Sequence, residues 1–179
     1  QELNGVVWTT ESFLERCSYV SVGETLSILQ PLMRRAFIDA HILRYDARFR
    51  SSEDFRLYAE ALIAGARFAT IGDAGYITRT RPGSLTRSGA WAREASVAVC
   101  DDLLACYGAL LSGAARASLL RRRRTYARLA AYAAFTFALR KGQVGASLGT
   151  LARTPGLLLA APGVFARRIG RAVTRADEG

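Results

Sequence analysis

Residues 51–71 read Ser-Ser-Glu-Asp-Phe-Arg-Leu-Tyr-Ala-Glu-Ala-Leu-Ile-Ala-Gly-Ala-Arg-Phe-Ala-Thr-Ile, and the change of period inside this stretch decides the fold class. Phe55, Leu57, Tyr58, Leu62 and Ile63 fall near a helical period, and Gly65 stands at the C′ position where a helix ends. Arg67–Ile71 then reads as a strand. A second strand-like run follows at Gly75–Thr80 beyond Gly72-Asp73, and Arg81-Pro82-Gly83-Ser84 closes the region as a turn. Helix, strand, strand is α/β texture.

Upstream, Thr9-Thr10-Glu11 has the form of a helix start, a hydroxyl cap followed by acid in the first turn. Thr25–Met33 is short and apolar and contains Pro31, which suggests a strand or extended segment. Arg34–Ala40 reads as a short helix and Asp46–Ser52 as a loop. Downstream of Gly89 the pattern is helix only. Ala90–Ser112 and Arg116–Lys141 are rich in Ala, Leu and Arg, with Gly113 and Gly142 as punctuation. Further helices are expected at Gln143–Arg153 and at Pro155–Thr174, the latter with Pro at its first position. The expected division is an α/β region over residues 1–88 and an α-helical extension over 89–179.

Half of the 179 residues are hydrophobic, which excludes disorder throughout. The net charge of +10 is uneven: up to Thr86 ten Arg face ten acids, so the whole excess lies beyond it. A basic half of this kind fits a polyanion, either nucleic acid or an anionic membrane surface, and equally a solvated helix face. No stretch reaches the roughly 20 apolar residues that span a bilayer. Leu157, Leu158, Leu159, Val164 and Phe165, followed by Arg167, Arg168, Arg171 and Arg175, do form an interfacial pattern with a basic end. Cys17, Cys100 and Cys106 are odd in number and lack C-x-x-C spacing, so reduced thiols are expected rather than a metal site.

Four motifs stand in order: Leu-Gln-Pro-Leu-Met-Arg-Arg-Ala-Phe at 29–37, Tyr-Asp at 45–46 with Ser-Ser-Glu-Asp-Phe-Arg-Leu at 51–57, Leu-Ile-Ala-Gly-Ala-Arg-Phe at 62–68, and Gly-Tyr-Ile-Thr-Arg-Thr-Arg-Pro-Gly-Ser-Leu-Thr at 75–86. This order resembles the second half of inverting family 2 glycosyltransferases, over residues 25–88. The Gln-Pro-Leu-Met-Arg-Arg and Glu-Asp-Phe versions look most like the bacterial transferases that build succinoglycan-type exopolysaccharides. The resemblance implies the acceptor-side, C-terminal half of a GT-A nucleotide-sugar transferase fold, followed by a helical tail. It also implies a nucleotide-sugar donor, a lipid-linked saccharide acceptor, and a peripheral place on the cytoplasmic face of the plasma membrane.

Inverting transfer is a single displacement in which an acceptor hydroxyl attacks the anomeric carbon as nucleoside diphosphate departs. The hydroxyl must shed its proton, so a positioned carboxylate is needed. The resemblance assigns that base to Asp54 and gives Glu53 an orienting role. On spacing alone the pair fits equally a helix start in which Ser52 caps and the two acids complement the dipole. Arg79 and Arg81 would lie near the donor diphosphate or the acceptor's phosphates, where a planar guanidinium fork suits phosphate. They read equally as solvated arginines along one strand face. Arg34 opens a helix, where a basic side chain opposes the dipole, a small hint of substrate binding. His41 is solitary and reads as structural.

The family holds a divalent metal, Mg²⁺ or Mn²⁺, through an Asp-x-Asp motif, and none occurs here; Asp101-Asp102 has the wrong spacing. With Gln1 at its start, the chain is expected to be a piece whose donor half lies upstream, inactive alone. The alternative is a basic helical module for nucleic acid or membrane docking, resting on Arg121-Arg122-Arg123-Arg124. Four consecutive arginines point all round a helix, and no nucleic-acid-reading motif accompanies them, so nucleic acid is not the expected partner.

Overall fold

The structure, a computed structural model, describes residues 5–18, 31–72 and 89–154. In chain order these form β1 (Val7–Trp8), α1 (Thr10–Ser18), α2 (Arg35–Ala40), α3 (Glu53–Ile63), β2 (Phe68–Ala69), α4 (Gly89–Tyr107), α5 (Gly113–Arg140) and α6 (Val144–Arg153). The described residues are thus mostly helical, with one two-stranded antiparallel sheet pairing Val7 with Ala69 and Trp8 with Phe68. Residues 31–33 carry no strand, and the rest of the Thr25–Met33 segment lies outside the described residues. So do the Gly75–Thr80 strand, the Arg81–Ser84 turn and the Pro155–Thr174 helix.

The chain divides into two compact units, Gln1–Ala127 and Arg128–Gly179, the boundary falling inside α5. In the first unit α1, α3, α4 and the start of α5 share one core. Phe13, Leu14 and Cys17 meet Phe55, Tyr58 and Leu62, together with Val99, Cys100, Leu103, Ala115 and Leu119. Phe13 stacks on Phe55 at 5.9 Å, and Phe68 of β2 packs edge-on against Phe13 and Tyr58. Helices expected to stand apart from the α/β region therefore complete its core. α3 is covered on every side from Phe55 to Leu62, including Arg56 and Glu60. In the second unit Ala130, Ala138 and Ser147 are buried. Among the described residues, no helix is long and apolar enough to cross a membrane.

Helix ends follow local chemistry. Thr9 caps α1 through its hydroxyl, which accepts from the Ser12 amide at 3.2 Å, while Ser12 returns the favour to the Thr9 amide at 3.0 Å. This reciprocal pair is a capping box with Ser in the third position. The Ser112 hydroxyl accepts from the Ala115 amide, so α5 begins at Gly113, earlier than its apolar pattern suggests. Gly113, expected as a break, is its first helical residue.

Three helices end in the same six-to-one closure. Ala66, Leu43 and Gln143 donate their amides to Ala61, Ile38 and Ala138 respectively. The left-handed residue this needs is Gly65 (φ 96°) and Gly142 (φ 69°) in two cases, and Ile42 (φ 53°) in the third. A β-carbon there costs about 1–2 kcal/mol, and β-branching makes it worse. A Cβ added at Gly65 would meet nothing within 4 Å, so only the backbone would resist it. Gly65→Ala is therefore expected to lower stability by about 1 kcal/mol. Ile42→Gly, at a side chain 77% exposed, should instead raise it slightly, because the relieved strain exceeds the roughly 0.5–1 kcal/mol of added chain freedom. Paired denaturant titrations with opposite signs would bear this out, and a loss in both would refute it.

Candidate functional site

α3 starts at Glu53, so Glu53 and Asp54 occupy its first two positions, both half-buried. The capping role open to Ser52 is not the one it takes. Ser52 is left-handed (φ 63°, ψ 14°) and makes no side-chain cap. Its hydroxyl instead meets that of Ser96 on α4 at 2.6 Å, and Ser96 donates onward to the Ala92 carbonyl. The first turn of α3 is thus tied laterally to α4.

The loop before α3 brings the Tyr45 phenol within electrostatic reach of Asp54 and of Tyr58. Partial burial and the Asp54 charge raise the Tyr45 phenol above its ordinary pKa, with a smaller push from Glu53. Burial first, then Asp54, raises Tyr58 more strongly. Tyr58 is 3% exposed and Tyr45 59%, so one phenol belongs to the core and the other to the surface. Tyr45 also borders a cavity of about 420 Å³. Its apolar walls are Met33, Ile38, Leu43 and Leu57, and its polar edge is Arg35, Asp39 and Arg44. Arg35 donates to Asp39 at 2.7 Å, and Arg44 lies 3.7 Å from it.

A charged network holds this loop in place. Arg48 binds Asp46 at 2.6 Å and Asp102 of α4 at 2.9 Å. Arg56, one residue beyond Phe55, binds Asp102 through Nε at 2.9 Å and Glu60 through Nη1 at 2.8 Å, with Asp46 at 3.7 Å. Glu60 also accepts from the Tyr107 hydroxyl at 2.6 Å, and that bond, aided by burial, lifts the phenol to about 12. The Arg48 side chain and backbone amide hold the Asp46 carboxyl down at about 2, from 3.8. A depressed carboxyl stabilises the fold above its unfolded pKa and ceases to do so as pH falls through the folded one. The stability contributed by Asp46 is thus expected to be complete above pH 3.8 and to fade toward pH 2. Asp46→Asn should flatten the acid limb of a stability–pH curve in that window. An unchanged slope there, or a carboxyl resonance titrating near 4, would contradict this.

The remaining expected residues are scattered. Arg34 sits at the cap position of α2, exposed, with no side-chain capping bond. Arg79 and Arg81 lie outside the described residues. The His41 ring packs on Phe37 at 4.3 Å, a structural role. Asp101 pairs with Arg123, and Asp102 is shared by Arg48 and Arg56. Among the described residues no three His, Cys, Asp or Glu side chains lie close enough to hold a metal ion together. Cys17 and Cys100 are buried and Cys106 exposed, and none of the three is in a disulfide. The arginine run turns inward: Arg122 is 2% exposed, with its guanidinium 3.9 Å from the Phe55 ring centroid and 4.7 Å from that of Tyr126. Its Nη1 donates to the Cys17 carbonyl at 2.5 Å, and Arg121 reaches Ser18.

Two features escape a reading by period. The two-residue strand β1 is too short to show alternation, and Arg56 and Glu60 sit on a helix surrounded on all sides. The signal for the second was present, an Arg-x-x-x-Glu pair inside an otherwise apolar helix.

Sixty-three residues of the chain are 49% identical to the succinoglycan biosynthesis protein ExoU of Rhizobium meliloti (strain 1021), over 35% of this chain and 18% of that protein. Seventy-nine residues are 34% identical to the succinoglycan biosynthesis protein ExoO of the same organism, over 44% of this chain and 23% of that protein. No family model and no solved structure matches. The chain spans about a fifth of the length of these curated relatives, and part of it is similar to proteins of succinoglycan biosynthesis.

Proposed function

We propose that the chain is the acceptor-side part of an inverting exopolysaccharide glycosyltransferase of the family 2, GT-A type. The partial likeness to two succinoglycan biosynthesis proteins supports the exopolysaccharide glycosyltransferase relationship. The observation that carries the finer reading is Asp54: a half-buried carboxylate in the first turn of a helix that is covered from Phe55 to Leu62. The donor is a nucleotide sugar and the acceptor a lipid-linked saccharide met at the cytoplasmic membrane surface. Asp54 takes the proton of the attacking acceptor hydroxyl while that hydroxyl's oxygen bonds to the anomeric carbon. The bond to the nucleoside diphosphate breaks, its electron pair leaving with the diphosphate, and the anomeric configuration inverts. Glu53 orients the acceptor, and Arg34, Arg79 and Arg81 supply cationic contacts to phosphate. The metal of this family belongs to the donor half.

The test is transfer by the whole protein that contains this chain, using a panel of labelled nucleotide sugars and membrane-extracted lipid-linked saccharides. Label is expected in the lipid fraction, and expected to vanish with Asp54→Asn. Transfer from no donor, or undiminished transfer by Asp54→Asn, overturns the reading.

A further inference from the structure

We propose that Ser96 of α4 is a positioning residue for the Glu53–Asp54 pair: it draws the Ser52 hydroxyl away from its own helix and so fixes the direction in which the first turn of α3 presents the two carboxylates. The inference rests on the transferase reading above, in which Asp54 is the base, and adds what aims it.

A serine before a helix has an ordinary task. Its hydroxyl accepts from an amide of the first turn while its own backbone is extended. Among the described residues three hydroxyls stand at that position: Thr9 before α1, Ser52 before α3 and Ser112 before α5. Thr9 serves the Ser12 amide and Ser112 the Ala115 amide. Ser52 departs from both. Its carbonyl still accepts from the Arg56 amide at 3.0 Å, so the backbone half of the cap is in place. Its side chain makes no cap, and its φ of 63° lies in the left-handed region, which a residue with a β-carbon enters only at a cost. Such outliers persist where their surroundings enforce them, and they gather at functional sites.

What enforces this one is the Ser96 hydroxyl. Ser96 is 3% exposed and begins the face of α4 that continues through Val99, Cys100 and Leu103 into the core. It donates its proton to the Ala92 carbonyl at 3.0 Å. A hydroxyl has one proton and two lone pairs, so in the 2.6 Å bond between the two serines Ser52 donates and Ser96 accepts. The Ser52 hydroxyl therefore has two alternative roles. It donates to Ser96 with the backbone left-handed, or it accepts from the Asp54 or Phe55 amide with the backbone extended. The second would re-aim the chain as it enters α3, and Glu53 and Asp54 are the next two residues. One turn along, Arg56 binds Asp102 of α4 at 2.9 Å. The body of α3 is thus anchored to α4 independently of the serines, and the choice at Ser52 falls on the first turn.

Two measurements with different readouts test this. On the chain itself, the NMR coupling constant and carbon shifts of Ser52 report its φ, and hydrogen exchange reports the Asp54 and Phe55 amides. In Ser96→Ala the Ser52 hydroxyl loses its acceptor. Its φ should turn negative and one of the two amides should become protected, while the amides from Leu57 to Leu62 exchange as in the parent. In the whole protein, misplacing a reacting group by about 1 Å can cost about 10²-fold, so Ser96→Ala should lower kcat by about tenfold or more. Both KM values should stay within about twofold, because binding of the substrates is not what changes. Adding Ser52→Gly to Ser96→Ala removes the hydroxyl that would cap and the cost of the left-handed backbone together. The double variant should recover kcat to within about threefold of the parent. A bond that served stability alone would lower the melting temperature and leave kcat of the folded protein intact.

A positive φ at Ser52 that survives in Ser96→Ala, an unchanged kcat, or a loss of kcat that the double variant does not recover overturns the inference. Failure of the transferase reading looks different: φ responds to Ser96→Ala, yet Asp54→Asn turns over as well as the parent.

Discussion

Asp54→Asn in the whole protein is expected to lose about 10²–10⁴-fold in kcat, the range for removal of a general base. The donor KM should stay nearly constant. Asn has the shape of Asp and fits the same place in the first turn of α3, so the fold around it survives. What Asn cannot do is take a proton. That interaction exists only in the transition state, so its loss falls on kcat and kcat/KM alike. Glu53→Gln should cost less, since an orienting contact is weakened rather than abolished. As helix-terminal charges alone, either residue would affect stability by roughly 0.3–1 kcal/mol and leave turnover intact. The structure sharpens the contrast by removing one competing role. Ser52 does not cap α3, because its hydroxyl is spent on Ser96. Melting temperature and kcat measured on the same preparations separate the two cases. A folded Asp54→Asn protein that retains more than about a tenth of the parent kcat, short of the smallest general-base effect, refutes the assignment.

How much of this was legible in the residues depends on whether the cause was local. The end of α3 was, because a left-handed C′ position selects glycine and Gly65 fills it with φ 96°. The same rule is silent at Ile42, where an identical closure is made by a residue that resists it. The start of α1 was legible for the same reason, a hydroxyl followed by a usable partner three residues on. β1 was not. Two residues show no period, and the strand forms only because β2, some sixty positions later, supplies its partners.

The candidate site divides the same way. Glu53 and Asp54 announce themselves as acids at a helix start, and motif order carried the rest. Tyr45 carries no such signal, because its approach to Asp54 depends on how the loop before α3 folds. The arginine run was misleading in isolation. As a sequence it is a block of charge; in the fold, Arg122 is sandwiched between Phe55 and Tyr126, Arg123 answers Asp101, and Arg121 reaches Ser18. Three of four cations are spent within the protein.

The largest stability effect is expected at Arg56. Its guanidinium is nearly covered, its side chain 10% exposed, and it divides its donors between Asp102 of α4 and Glu60 one turn along, with Asp46 of the loop nearby. Replacing a buried member of such a set strips its partners of most of their compensation, and breaking a buried pair costs about 3–5 kcal/mol. The network reaches solvent at Arg48, 64% exposed, so Arg56→Leu should fall at the low end, about 3 kcal/mol. By contrast Arg35→Ala, removing an ion pair whose arginine is 85% exposed, should cost less than about 0.5 kcal/mol. Arg56→Lys should recover only part of the loss, because a single ammonium cannot match a fork that points at two carboxylates. The pH dependence identifies the cause. Without Arg56 the negative charges of Glu60 and Asp102 lose a partner, and a deficit of that origin should shrink as pH falls from 7 toward 4. A deficit caused by lost packing would not shrink. Arg56→Leu combined with Asp102→Leu should be more stable than Arg56→Leu alone, since one stranded charge is removed with its neighbour. Urea titrations at two pH values measure all of this, and an Arg56→Leu loss below about 1 kcal/mol, outside the range for a broken buried pair, would show the network to be decorative.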